Sequence, residues 1–206
     1  MNSLFLEGNK FIGKSTLLQK VLRLTCSSVN GFYVNRIIND GGQIIAFELR
    51  AAKELLQQKA EMKTITEHCF IQTREGKRIR NLFVFETFGI ELLKEIKKVP
   101  ADVVLLDEIG GIELLSEPLL AELLAVVRHS NKIVGVFKSE RNYQHQKQLT
   151  IEKLEVNEQR VLLKREIYRN QGQLVELKEN NLHLIKKRIS RFSKKIFFFK
   201  RYLFKV

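Results

Sequence analysis

The chain reads as an α/β protein: a doubly wound, mostly parallel sheet with β-hairpin insertions and a basic C-terminal helix. Three observations predict this. Apolar runs of strand length alternate with segments of helical spacing. Two of the runs, Ala101–Leu106 and Ile133–Phe137, are apolar almost throughout, the pattern of parallel strands buried on both faces. The first run, ending Leu4-Phe5-Leu6, passes directly into a glycine-bounded loop and a helical pattern. At 206 residues and 44% hydrophobic the chain suits one core of this kind with a short appendage.

Taken in order, Leu17, Leu18, Val21 and Leu22 mark the first helix by their spacing. Asn30-Gly31 signals a turn, and Phe32–Ile38 alternates like a strand. Asn39-Asp40-Gly41-Gly42 is a hairpin connection, with Gln43–Leu49 as the return strand. Ala51–Met62 is polar enough for an exposed helix or a loop. Cys69–Thr73 and Lys77–Phe85 bracket Arg74-Glu75-Gly76 as a second hairpin. Phe88–Lys98 is helical and Pro100 stops it; Pro118 opens a further helix to about Arg128. After the Ile133–Phe137 strand come a short helix at Gln144–Leu149, a strand at Lys153–Val156 and a last core helix at Gln159–Arg169.

The chemistry concentrates at Gly8-Asn9-Lys10-Phe11-Ile12-Gly13-Lys14-Ser15-Thr16. Two glycines five apart followed by Lys-Ser, between a strand and a helix, form the signature of a nucleotide-phosphate loop. Backbone N–H groups at a helix N-terminus attract anions. Gly8 and Gly13 allow backbone conformations that a side chain would block. Lys14 is placed to reach the terminal phosphates, and the Ser15 hydroxyl to ligate Mg²⁺. The other half of the site is Asp107-Glu108, at the end of the buried run Ala101–Leu106. A carboxylate at the carboxyl end of such a strand faces the same crevice as the loop. Asp107 is therefore a metal ligand, directly or through water, and Glu108 the group that orients and deprotonates the attacking water. Charge on a transferring phosphate also invites a cation, for which Arg36, Arg160 and Lys138 are candidates, with Arg160 preferred.

Composition excludes other classes. Cys26 and Cys69 show no pairing pattern and read as reduced thiols, and the four histidines have no metal spacing. Met1–Leu6 is too short for the apolar core of a secretory signal, and no run is long enough to cross a bilayer as a helix. The expected compartment is the cytoplasm. The net charge of +13 is uneven. Residues 182–206 hold nine Lys/Arg and no acid, so the 36 basic residues leave 27 for the remainder against 23 acids, a balance of +4.

The pairing of Gly-x4-Gly-Lys-Ser-Thr-Leu with Gly31-Phe32-Tyr33, the Asp40-Gly41-Gly42 hairpin, Asp107-Glu108-Ile109-Gly110 with Glu113-Leu114, and Asn157-Glu158-Gln159-Arg160 resembles the small thermophile-type and cancer-related P-loop nucleoside-triphosphatases. The resemblance runs from about Leu4 to about Tyr168. It implies a RecA-like fold and Mg²⁺-dependent hydrolysis of nucleoside triphosphates such as ATP and GTP to diphosphates, slow and tolerant of the base. It also implies phosphate and metal contacts from Gly8, Gly13, Lys14, Ser15 and Thr16, with Asp107 and Glu108 serving metal and water. Two positions depart from the family pattern: Phe11 stands where a further glycine is usual, and Gly111 where a lysine is usual. The competing readings are a small nucleotide or nucleoside kinase, and a nucleotide-dependent binding module tethered by its tail.

That tail divides the chain into residues 1–181 and 182–206. Ile185, Ile189, Phe192, Ile196, Phe199 and Leu203 recur at steps of three and four, with Lys186, Lys187, Arg188, Lys194, Lys195 and Arg201 largely off the stripe. A basic amphipathic helix of this kind serves an anionic membrane, a nucleic acid through Phe197, Phe198 and Tyr202, or packing on the body or on a second copy.

Overall fold

The computed structural model describes residues 1–57, 64–74, 77–149 and 153–194. Eight strands form one sheet in the order β5-β4-β3-β2-β6-β7-β1-β8. They are β1 (Ser3–Glu7), β2 (Val29–Ile38), β3 (Ile44–Ala51), β4 (Cys69–Arg74), β5 (Lys77–Arg80), β6 (Val103–Ile109), β7 (Ile133–Phe137) and β8 (Gln173–Glu176). β2, β6, β7, β1 and β8 run parallel, while β3, β4 and β5 extend the sheet antiparallel beyond β2.

The helices are α1 (Lys14–Thr25), α2 (Ile90–Lys98), α3 (Glu117–His129), α4 (Glu140–Leu149), α5 (Asn157–Arg169) and α6 (Leu182–Ser193). Alternate side chains of each central strand enter opposite cores, as the two-residue strand period requires. Phe5, Leu106, Ile109 and Phe32 pack with Leu93 of α2, Leu119 and Leu123 of α3, and Leu163 and Ile167 of α5. Leu4, Leu6, Leu105, Val134 and Val136 pack with Leu18 and Val21 of α1 and with Ile185 and Ile189 of α6. Helices therefore cover both faces, which is why β6 and β7 are apolar almost without interruption. Ser116 caps α3, its hydroxyl accepting from the Leu119 N–H at 3.3 Å, and Pro118 sits in the first turn. Gly31 is required where β2 meets β6: its φ is +95° and a Cβ there would lie 2.1 Å from the Leu105 carbonyl oxygen.

Five local expectations differ. Asn30-Gly31 makes no turn: both residues lie within β2 and pair with Val104 and Leu105 of β6. Lys153–Val156 is irregular chain, because Leu154 and Val156 are buried against helices and pair with no strand. β5 ends at Arg80, and Phe85 belongs to a wide helical turn, Phe85–Gly89, that leads into α2. Ala52–Leu56 is a short 3₁₀ turn with Ala52 and Leu55 buried. β8 is additional, a short edge strand beside β1 whose Gln-Leu-Val-Glu sequence carries only two apolar residues. Within α6 the Ile185 and Ile189 stripe is spent on α1. Ile196, Phe199 and Leu203, and the Phe197-Phe198-Phe199 run, lie outside the described residues. No helix among the described residues is long and apolar enough to cross a membrane.

Candidate active site

The loop between β1 and α1 bends at two left-handed glycines, Gly8 (φ +138°) and Gly13 (φ +88°). A Cβ at Gly8 would press on the Leu177 carbonyl oxygen at 2.7 Å; Gly13 is required by its φ alone. Gly13 is the N-cap of α1, no side chain caps it, and the first turn carries no acid. The amides of that turn, with the positive end of the helix dipole, are thus left for an anion. Lys14 is buried and donates to the Gly8 carbonyl at 2.9 Å and the Asn9 carbonyl at 2.7 Å. Burial lowers its pKa, with Glu108 opposing that effect.

The sheet brings the carboxylates to this loop. β6 ends two strands from β1, with β7 between them. The Ser15 hydroxyl donates to Asp107 Oδ1 at 2.8 Å. Asp107 is fully buried, its Oδ2 has no partner, and its pKa is pushed up to about 7, first by burial and then by neighbouring Glu108 against the Ser15 hydrogen bond. Glu108 differs. Burial would raise its pKa, but the Lys138 ammonium 2.9 Å from its Oε2, then Lys14 and Arg36, hold it below the ordinary value.

The turn after Glu108 is clamped from two sides. Glu113 is buried and accepts the N–H groups of Gly110 and Gly111, the latter at 2.9 Å from its Oε1. Burial raises its pKa against those bonds. Arg160, 3% exposed, donates through one guanidinium nitrogen to the Gly110 carbonyl and through the other to the Lys138 carbonyl at 2.9 Å and Glu140 at 3.3 Å. Its guanidinium carbon lies 4.5 Å from the Tyr143 ring centroid and 5.2 Å from that of Phe137. It stands behind the site and does not line the cavity, whereas Arg36, Lys138 and Lys10 do.

Gly13, Lys14, Ser15, Thr16 and Glu108 thus line one cavity of 350 Å³. The profile of the NTPase family matches residues 3–189 of the chain. The chain belongs to the NTPase family. Among solved structures it is similar to THEP1 from the hyperthermophile Aquifex aeolicus, at 16% identity and a TM-score of 0.64, covering 94% of this chain and 99% of that one. It is also similar to a human cancer-related nucleoside triphosphatase, at 19% identity and a TM-score of 0.57, covering 93% and 96%. No curated protein sequence matches it. The enzyme is therefore a nucleoside-triphosphatase on a P-loop α/β fold.

The two departures from the family pattern have physical readings. Phe11 takes the left-handed φ of +66° that suits a glycine, which costs about 1 kcal/mol or more for a bulky residue. Its ring, 66% exposed, lies under the Lys10 ammonium at 5.0 Å and the Arg36 guanidinium at 5.2 Å. At Gly111 a Cβ would meet Lys138 Cε at 2.5 Å, so the Lys138 stem fills the space next to that position. Asn142 of α4 is a contributor that no motif announces: its side-chain amide donates to the Gly8 carbonyl at 3.0 Å. Only the packing of α4 over the loop brings it there.

Proposed function

We propose that the enzyme hydrolyses nucleoside 5′-triphosphates to diphosphates and phosphate with Mg²⁺, with broad tolerance of the base and slow turnover. The observation that carries this reading is the 2.8 Å hydrogen bond from Ser15 to Asp107, which joins the loop to the carboxylate pair. Asp107 Oδ2, buried without a partner beside that hydroxyl, fits a hard cation that prefers oxygen ligands. Ser15 and Asp107 would hold the ion, directly or through water. When bound, Mg²⁺ offsets the charge of the terminal phosphates.

The residues of the chain supply the rest. The amides of Gly8–Thr16, with Asn9, Lys10, Phe11 and Ile12 between the glycines, form the phosphate cradle. Lys14 exchanges its two carbonyl acceptors for phosphate oxygens. Glu108, held ionised by Lys138, orients a water and takes its proton. Arg36 and Lys138 balance charge on the transferring phosphate. Arg160 acts from behind, as a positioning residue that ties the turn after Glu108 to the backbone of Lys138. Base tolerance follows because the polar groups around the loop are amides, cations and carboxylates suited to phosphate. Slow turnover follows because a base whose pKa is held below the ordinary carboxylate value by Lys138 accepts a proton weakly.

The test is phosphate release from ATP, GTP, CTP and UTP, wild type beside Glu108→Gln. All four are hydrolysed by the wild type; the variant keeps Mg²⁺–nucleotide binding and loses turnover by ~10²-fold or more. Unchanged release in Glu108→Gln removes that residue from its role, and hydrolysis of one base alone refutes the tolerance.

A further inference from the structure

The cavity continues beyond Glu108, and hydrolysis has no use for that part. The phosphate loop hangs from β1 and Glu108 lies near the carboxyl end of β6; the far wall is built by the antiparallel extension past β2. Phe47 of β3, Phe70 and Ile71 of β4, Arg78 of β5 and Phe85 line it. In-line displacement brings the attacking oxygen in opposite the leaving oxygen. Glu108 marks the attacking side, so the nucleoside of a bound triphosphate lies on the other side and this compartment faces its γ-phosphate.

An attacking water does not call for aromatic walls. Phe47 and Phe70 stand 6.4 Å apart between centroids, and Phe70 and Phe85 4.7 Å, an aromatic cluster in which Phe70 and Phe85 are buried and half-buried Phe47 is the most open ring. Cations sit at the rim. Arg36 lies over Phe11, and the Arg78 guanidinium is 5.9 Å from the Phe47 centroid. Among the described residues neither is ion-paired with a carboxylate, and Glu108 is already taken by Lys138. Aromatic walls with guanidinium groups at the rim match a ligand that combines a flat ring with a phosphate.

We propose that this compartment is a second ligand site for a nucleoside monophosphate, its base against Phe47 and Phe70 and its phosphate between Arg36 and Arg78. Bound there, it excludes the attacking water. The proposal rests on the hydrolysis reading above, since that reading defines the attacking side. A monophosphate oxygen held in line also meets the γ-phosphorus. Its bond to phosphorus forms as the bridging bond to the β-phosphate breaks, and the electron pair leaves on the diphosphate. The products are two nucleoside diphosphates, and no proton moves.

The experiment uses the full chain loaded with Mg²⁺ and the β,γ-imido analogue of ATP. AMP, GMP, CMP and UMP are titrated in by calorimetry, and phosphate release from γ-labelled ATP is followed with and without each. The expected result is saturable binding of at least one monophosphate to the loaded protein, with phosphate release falling several-fold at saturation. Label recovered in the diphosphate made from the monophosphate supports the proposal equally. Arg78→Ala and Phe47→Ala each weaken monophosphate affinity tenfold or more, well beyond any change in KM for ATP. Absence of monophosphate binding to the loaded protein overturns this proposal alone. So does competition between monophosphate and analogue, which would make the compartment part of the triphosphate site. Failure of the analogue itself to bind removes the hydrolysis reading and this proposal with it.

Discussion

Replacing Arg160 separates two roles that its position in the sequence allows. A cation that touches the γ-phosphate stabilises the transition state and leaves the resting fold alone. A clamp does the reverse in part. Arg160 is buried and donates to two backbone carbonyls, Gly110 and Lys138, with a weaker contact to exposed Glu140. A hydrogen bond from a charged donor is worth about 1.5–3 kcal/mol, and an exposed ion pair adds about 0–1. Arg160→Ala therefore costs about 3–7 kcal/mol, including the carbonyls left without a donor. For a domain of this size that is a fall in Tm on the order of 10 °C. Arg160→Lys keeps the charge but not the fork, so it recovers only part of the stability. The turnover of both variants falls because the backbone on either side of the Glu108–Lys138 pair loses its tie. Thermal unfolding and kcat, measured on the same preparations, decide the matter. A Tm within about 1 °C of wild type together with a 10³-fold loss in kcat would refute the clamp and return Arg160 to the phosphate.

Other outcomes follow from the same geometry. Lys14→Ala impairs both nucleotide affinity and kcat, by 10-fold or more in kcat/KM, since one cation serves ground and transition states; fluorescent-analogue binding beside initial rates checks it. Asp107 has a folded pKa raised to about 7 from 3.8, so the native state binds the extra proton between those values. Without divalent ion, its contribution makes stability fall as pH rises from about 4 to 7. Asp107→Asn removes this slope in denaturant titrations across that range, and an equal slope in both proteins would show the carboxyl to be ordinary. Lys138→Met takes away the largest influence lowering the Glu108 pKa. The acid limb of the kcat profile, where activity is lost as the base protonates, then moves to higher pH, and an unmoved limb would disconnect Lys138 from the base.

Much of this enzyme was legible because its chemistry is local in the chain. The loop Gly8–Thr16 is a contiguous signature, and its two glycines are needed for φ values that other residues seldom adopt. Asp107-Glu108 was readable because a strand buried on both faces is apolar until it ends, so an acid pair there stands out. Pro118 and the Asn39–Gly42 turn marked boundaries through backbone constraints that act within a few residues, whereas Gly31 suggested a turn and instead lies within β2, where its missing side chain lets β6 approach. Strand β8 escaped because an edge strand has one neighbour and little to bury. Lys153–Val156 misled because burial against helices and burial in a sheet leave the same apolar trace in so short a segment.

What the sequence determined by itself, then, is the kind of site: an anion cradle and a carboxylate pair, each written in consecutive residues. Which distant groups meet them was decided only by the packing of the sheet and its helices. Arg36 and Lys138 reach the cavity because β2 and β7 flank β6; Asn142 reaches the loop because α4 lies over it. Arg160 is turned away because its guanidinium is held between Phe137, Tyr143 and two carbonyls. The physical reason is range. Backbone conformation and hydrophobic period are properties of neighbours along the chain, while the partner of a long cationic side chain depends on elements separated by tens of residues.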